Sequence, residues 1–483
     1  MVARCFLVAL ATFALSTAED CQEGEQGSCS THLLQAQADR RTAPHHWPTF
    51  RGRSQTAAVS QAPPRDLSTP SWSWQHPRGQ FHTIMSGGPV IDKDSNLYLQ
   101  TAQGIRKFTS SGQEVWLFET PGLTNNEPSL YGNLLLSSTK LPGLAYAVDR
   151  NSGKELWRTF LADTSGGDCG YPAAHNGVFV VGASTGNDTR IQGGNTKVFG
   201  LDTNTGKQLW EYDPDHVVWN LSPLFPDDES VVFMDFTGGM YKLSLTTGQE
   251  LWKTPAPNSD PSFSDGGATL GQNGKVYACS NYGVAMGQEG SPGVARAFDL
   301  SSGQIVWEKI LSSPCNSFPA VGNVRGSDRL AAVFLPGPFD GTPNVEGSVL
   351  ALDAETGEEI WKFNTENYTS PMNQAAGDLE GLIDRTTEGI QAICAPAHWS
   401  APTIDGSGTV YGLRMNGKLY AVHGPQDTVD TKELKTALVL DSSTGVVAEV
   451  YQIGSASLHG AMAWAPGLYA FSTCDTLQVF HTK

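Results

Sequence analysis

Residues Val349 to Trp361 read VLALDAETGEEIW. The stretch opens as an apolar strand, turns at Asp353-Ala354-Glu355-Thr356-Gly357, and leaves on a second strand ending in Trp361. An Asp carboxylate caps a tight turn by accepting backbone N–H groups two residues on, and Gly supplies the positive φ the turn needs. The local expectation is a β-hairpin with a large aromatic on its outgoing strand.

The pattern recurs. Asp149 to Trp157 reads DRNSGKELW, Asp202 to Trp210 reads DTNTGKQLW, and Asp299 to Trp307 reads DLSSGQIVW. Ser244 to Trp252 (SLTTGQELW) lacks only the Asp, and Phe108 to Trp116 (FTSSGQEVW) is a looser copy. Asp441 to Glu449 (DSSTGVVAE) keeps the turn without the Trp. In all seven the last position lies four residues beyond the Gly, and the first six copies recur at a period between 40 and 55 residues. Self-similarity at that period marks a propeller, solenoid or array.

Each repeat has the same internal order. A short segment with Pro or small residues comes first, as at Glu127-Pro128-Ser129, Tyr171-Pro172-Ala173 or Phe318-Pro319-Ala320. A second apolar strand follows, as at Val178 to Val181 or Val231 to Met234, and the hairpin supplies strands three and four. Four antiparallel strands per unit make a propeller blade. Seven copies are complete. An eighth is split: 459–463, 468–471 and 477–480 supply three strands, and Ser71-Trp72-Ser73-Trp74 is a strand without a blade. Pairing the two closes the ring and removes both open sheet edges. The expectation is therefore an all-β, eight-bladed propeller, with seven blades as the fallback. Two insertions interrupt it, 362–397 with a short helix around Ala375 to Arg385, and a polar excursion at 424–436 in the seventh blade.

Composition fits an all-β chain rich in turns, with 39% hydrophobic residues, 52 Gly and 28 Pro among 483. The net charge of −18 argues against nucleic-acid and anionic-membrane partners. No apolar run approaches the roughly 20 residues that span a bilayer. Residues 1–18 read as a signal peptide, with Arg4 as the basic region, Cys5 to Leu15 apolar, and Ser16-Thr17-Ala18 at the cleavage positions. Residues 19–46 read as a polar tail or propeptide, and ordered structure begins at Trp47-Pro48-Thr49-Phe50-Arg51-Gly52. Cleavage leaves seven cysteines, Cys21, Cys29, Cys169, Cys279, Cys315, Cys394 and Cys474, none at metal-ligand spacing. Cys21 and Cys29 are close enough to pair locally; the pairing of the rest stays open. Asn187, Asn220 and Asn367 head glycosylation sequons. The cluster Asp227-Asp228-Glu229 reads as a solvated loop and Gly186 to Thr189 as a turn.

At the docking motif the chain resembles a known family. Ala351, Asp353, Thr356, Gly357, Glu359 and Trp361 match the tryptophan-docking motif of pyrroloquinoline quinone (PQQ) repeat proteins, and Ala147, Asp149, Gly153, Glu155 and Trp157 match most of it. The resemblance covers roughly residues 47–483, and Trp47 to Gly52 looks like the segment that opens such propellers. It implies that Trp116, Trp157, Trp210, Trp252, Trp307 and Trp361 pack between neighbouring blades as structural residues. It also implies one of two functions, because the superfamily holds calcium- and PQQ-dependent alcohol and sugar dehydrogenases as well as non-catalytic scaffolds such as the BamB-type outer-membrane assembly lipoprotein. The enzyme members hold PQQ between a Trp floor and a disulfide of adjacent cysteines, Ca²⁺ on carboxylate and amide oxygens, and an Asp that takes the substrate proton. This sequence has no Cys-Cys pair, and Ala18-Glu19-Asp20-Cys21 lacks the small residue before Cys that a lipid-attachment box requires.

The candidate site is the ring of residues at the start of each first strand, which should line one mouth of the channel. It holds Asn125, Asn126 and Glu127; Asp168 and Tyr171; Trp219 and Asn220; Asp265; Asn316; His398 and Trp399; and His459. Carboxylates and amides in a ring suit Ca²⁺ or a polar ligand, and equally suit channel solvation and strand-end turns. For a cofactor the candidates are Asn126, Glu127, Asp168, Trp219, Asn316 and Trp399; for a metal, Glu127, Asp168 and Asp265; for catalysis, Asp265. The expected function is a secreted, non-catalytic propeller that binds a protein or glycan partner through one face. The alternative is a PQQ- and Ca²⁺-dependent dehydrogenase of alcohols or sugars.

Overall fold

The computed structural model describes residues 44–62, 66–85, 87–124, 126–167, 169–184, 194–257, 267–282, 292–337, 346–367, 378–390, 399–428, 438–454 and 460–482. Its hairpins form as the repeat dictates. The Asp353 carboxylate accepts the N–H groups of Glu355 (2.8 Å) and Thr356 (2.9 Å), and Gly357 closes the turn onto the Asp353 carbonyl at φ +74°. Asp202, Asp299 and Asp441 cap their turns in the same way. In the copies that end in Trp, the strand register shifts just before the turn, for example between Ala351 and Leu352 and between Ala147 and Val148. That bulge sharpens the local twist.

The strands assemble into eight antiparallel sheets arranged as an eight-bladed propeller. Blade 1 holds Val90–Ile91, Leu97–Thr101, Gly104–Phe108 and Glu114–Phe118, ordered from the axis outward. Blades 2, 3, 5 and 6 repeat that meander, beginning at Ser129, Ala173, Ala268 and Ala320. Blade 4 has three strands, and its inner edge is completed by Leu224, which exchanges two backbone hydrogen bonds of 2.8 Å with Val232. Blade 8 takes Ala463–Ala465, Leu468–Ser472 and Thr476–His481 from the C-terminal end and Trp72–Gln75 from the N-terminal side. Trp72 faces Val479 and Gln75 faces Thr476 in that antiparallel pair. The ring is closed by its two ends.

Blade 7 departs from the expected meander. Leu438–Leu440, the strand entering the Asp441 turn, is a fifth, outermost strand, and Val446–Gln452 pairs both with it and with Lys418–Pro425. The described chain beyond the excursion therefore resumes on the outer side of the sheet.

The docking tryptophans join each blade to the next. Trp307 lies against Gly357, where a Cβ would sit 2.8 Å from the indole, and its Nε1 donates to the Ala354 carbonyl at 3.0 Å. Trp252 on Gly303, Trp210 on Gly248 and Trp157 on Gly206 repeat the contact, donating to Leu300, Leu245 and Thr203. Trp116 lies on Gly153. Trp361 differs, because the next turn has moved to the rim. It donates to Arg325 of its own blade at 2.9 Å. Trp72 was missed as a docking residue. It lies on Gly112 and donates to the Ser110 carbonyl at 2.8 Å, docking blade 8 onto blade 1.

Two segments lie across the ring. Residues 44–62 run over the far ends of the inner strands, with backbone bonds from Trp47 to Ile91, Leu130 to Pro48, Val321 to Thr56 and Val59 to Ile404. The insertion after blade 6 contains a helix, Asp378–Thr387. Its buried Arg385 pairs with Asp475 of blade 8 and donates to the Thr83 carbonyl, which places the helix on the mouth side. Among the described residues no helix is long and apolar enough to cross a membrane.

Candidate functional site

The described mouth residues are used first as latches between blades. Glu127 Oε2 accepts the Gly88 N–H of blade 1 at 3.0 Å, and the Glu127 N–H donates to Gly170 ahead of blade 3 at 2.9 Å. The Asn126 amide donates to Ser138 Oγ at 2.7 Å, and its Oδ1 accepts the Gly170 N–H at 2.7 Å. Asn220, fully buried at φ +47°, accepts the Cys169 N–H at 3.0 Å. A residue so buried does not carry a glycan on the folded chain, which corrects the expectation for that sequon.

The two candidate tryptophans are not brought together. Trp219 packs on Phe236 with ring centroids 6.1 Å apart. Trp399 packs on Tyr420 (5.3 Å) beneath the Arg414 guanidinium (5.4 Å), in the core shared by blades 6 and 7. Asn316 is buried, and among the described residues neither of its side-chain polar atoms has a hydrogen-bond partner. Asp168 and Asp265, with Asn125, His398 and His459, lie outside the described residues.

The centre of the channel brings Tyr171 of that ring together with Phe50, Arg51 and Phe318, which the sequence does not mark as site residues. Phe50 lies 4.2 Å from Tyr171 and 4.7 Å from Phe318, and Tyr171 meets Phe318 edge-on at 5.2 Å. Tyr171 leads into blade 3 and Phe318 into blade 6, so these rings can meet only near the axis. Arg51 follows Phe50, and its guanidinium stands 5.0 Å from the Phe318 ring centre and 5.6 Å from that of Phe50. Burial pushes Arg51 down to about 9, against the upward pull of Tyr171 and Glu127. It remains a cation at neutral pH. The only signal in the sequence was a lone Arg inside an aromatic opening segment.

This arrangement bears on the implied cofactors. Among the described residues no three His, Cys, Asp or Glu side chains gather to hold a metal. Glu127 is close enough to Arg51 for each to feel the other's charge, and that cation works against a divalent ion beside it. Trp219, packed on Phe236, and Trp399, in the core shared by blades 6 and 7, are both buried and do not come together as an indole floor. The described disulfide joins Cys279 of blade 5 to Cys315 at the approach to blade 6. Cys474 is also disulfide-bonded, and the Cys169 thiol lies 3.3 Å from the Tyr171 hydroxyl. The described residues therefore do not form the calcium and quinone cradle that the resemblance implies for the enzymes.

A closed ring of four-stranded blades, joined by Trp-on-Gly contacts, defines the PQQ-repeat class of propeller. Residues 101–363 match the family described as outer membrane protein assembly factor BamB, more than half of the chain, and the chain belongs to that family. It is 26% identical over 355 residues to outer membrane protein assembly factor BamB of Burkholderia pseudomallei, covering 69% of this chain and 83% of the relative. It is 26% identical over 243 residues to tetrathionate hydrolase of Acidithiobacillus ferrooxidans, covering 48% of this chain and 42% of that relative, so the chain spans less than half of it. It is 24% identical over 278 residues to a polyvinylalcohol dehydrogenase of a Pseudomonas species, covering 56% and 34%. Two solved structures share the fold. BamB of Moraxella catarrhalis has a TM-score of 0.56 at 15% identity, covering 86% of this chain and 99% of that one. Quinohemoprotein alcohol dehydrogenase of Comamonas testosteroni has 0.59 at 12%, covering 94% and 84%.

Proposed function

We propose that the chain is a secreted, non-catalytic propeller that binds a protein or glycan partner through its mouth face. The observation that carries this reading is the commitment of Glu127, Asn126 and Asn220 to backbone groups of neighbouring blades. An oxygen already accepting a buried N–H is a poor ligand for a metal or substrate, because taking it away orphans the donor. The alignment favours the same reading, since it spans 83% of the BamB relative and 34% of the polyvinylalcohol dehydrogenase. A relative named as an assembly factor fits a protein partner better than a small substrate. The secretory assignment rests on the apolar leader and on disulfides, which persist in oxidising compartments.

The second reading, a PQQ- and Ca²⁺-dependent dehydrogenase, is favoured by relatives of that kind and by the carboxylates Asp168 and Asp265, which the sequence puts ahead of two first strands and which lie outside the described residues. Calorimetric titration with PQQ, with and without Ca²⁺, separates the two. The binding-module reading expects no heat under either condition on folded protein. Saturable binding that requires Ca²⁺ overturns it, and Glu127→Gln, Asp168→Asn or Asp265→Asn should then abolish that binding.

A further inference from the structure

A cavity of about 480 Å³ opens where the crossing segment meets the far ends of blades 5, 6 and 7. That volume lies within the range of small-molecule sites. Its polar lining comes from four places in the chain: Ser60 on the crossing segment, Gln272 in the first turn of blade 5, Asn323 at the end of Ala320–Asn323 in blade 6, and residues 405–408 in the first turn of blade 7. Ser60, Gln272 and Asn323 are exposed, so the cavity is open to solvent. Two stretches of backbone also face into the gap. Val59 donates to Ile404 of blade 7, and the Gln61 carbonyl accepts the Gly406 N–H, which turns the N–H and C=O of Ser60 between them the other way. In blade 6, Val321 gives its N–H to Thr56 of the crossing segment. Asn323, two residues on in the same antiparallel pair, presents its N–H and C=O to that same edge. Among the described residues, these groups of Ser60 and Asn323 and the side chains of Ser60, Gln272 and Asn323 make no hydrogen bond.

The charge of the lining narrows the ligand. Asp405 is the one ionisable side chain among the described lining residues, and its oxygens are already engaged. Oδ1 accepts the Ser407 N–H (2.8 Å), the Ser407 hydroxyl (2.7 Å) and the Thr409 N–H (3.1 Å), and Oδ2 accepts the Tyr411 hydroxyl (2.7 Å). A cation would have to take an oxygen from those donors, and an anion would face the carboxylate with no cation beside it. What the cleft offers freely is a mixture of amide, hydroxyl and backbone donors and acceptors. A hydroxyl, which is both donor and acceptor, matches such a mixture at every point. We propose that this cleft binds an uncharged, polyhydroxylated ligand, a sugar residue, with its hydroxyls on the Asn323 and Gln272 amides and on the Ser60 and Asn323 backbone. Val59 and Val324 supply apolar wall for its C–H groups. The site lies on the face opposite the mouth and does not rest on the partner reading above.

The test is saturation-transfer NMR of glucose and N-acetylglucosamine on the full chain, with glucuronate and acetyl-trialanine amide as comparison ligands. Saturable transfer is expected to at least one of the two neutral sugars, and weaker transfer to glucuronate. Asn323→Ala and Gln272→Ala each remove one hydrogen-bonding amide and should weaken binding about 2- to 10-fold. Asn323→Trp fills the cleft and should abolish it. Transfer to neither sugar on folded protein overturns the proposal, and so does unchanged affinity in Asn323→Trp. If that variant does not fold, unchanged affinity in Asn323→Ala overturns it instead. Transfer to the peptide and to neither sugar assigns the cleft to an extended chain and overturns the ligand class. Glucuronate binding as tightly as glucose overturns the assignment to an uncharged ligand.

Discussion

Gly357 and Gly445 occupy equivalent turn positions with nearly the same φ, +74° and +72°, yet only Gly357 has an indole against it. Gly445→Ala should therefore cost only the left-handed strain of a side chain, about 1 kcal/mol. Gly357→Ala adds a clash with Trp307 and should cost roughly 2–4 kcal/mol, a difference that urea unfolding of the two variants measures. The capping carboxylates give a second prediction at this scale. Hydrogen bonds from the Ser301 and Ser302 side chains hold Asp299 down to about 2, below its ordinary 3.8. A depressed folded pKa contributes stability that is present above 3.8 and lost as pH falls through about 2. The urea midpoint should thus fall across that window, and Asp299→Asn should show a flatter fall. An identical slope in the variant would refute the assignment.

At the scale of elements, closure is the vulnerable step. Trp72 is the docking tryptophan of a blade whose other strands lie some four hundred residues away in the chain. Trp72→Ala removes the indole and its bond to Ser110, and should cost about 2–4 kcal/mol in chemical denaturation. Deleting the chain through Gln75 bares the edge of Thr476–His481, and light scattering should then show oligomers, since an unpaired strand recruits another. The Cys279–Cys315 bridge closes a loop with a sequence separation of 36. Replacing both cysteines with serine should lower stability by roughly 3–4 kcal/mol on the loop-entropy estimate. Blade 7 shows how an element escapes its motif. DSSTGVVAE keeps the capped turn but has no Trp, and nothing holds its incoming strand in the third position.

Across the whole molecule, ring closure makes one environment that no single repeat contains. Tyr171 and Phe318 come from different blades, Phe50 and Arg51 from the segment that crosses the ring, and together they close the axis. The blade repeat, the capped turns and the docking tryptophans follow from short-range rules, and the pairing of Trp72–Gln75 with the last strand follows from the need to close the ring. Asp, Gly and Trp at fixed offsets dictate a hairpin and its neighbour wherever they occur, so seven copies make the architecture legible. The channel mouth was legible only as a location. Composition could name Glu127, Asn126 and Asn220 as polar residues at strand heads, but not that their lone pairs would be taken by Gly88, Gly170 and Cys169. Those contacts depend on which backbone groups neighbouring blades leave unpaired.

The sequence by itself thus determined the fold, because each blade's instructions are local and repeated. The tertiary structure alone decided what stands at the axis. Arg51 is one charge in an opening segment until the closed ring surrounds it with Phe50, Phe318, Tyr171 and Glu127 and strips away its water. Burial and opposition across a ring are properties of the assembled circle, and no stretch of chain encodes them alone.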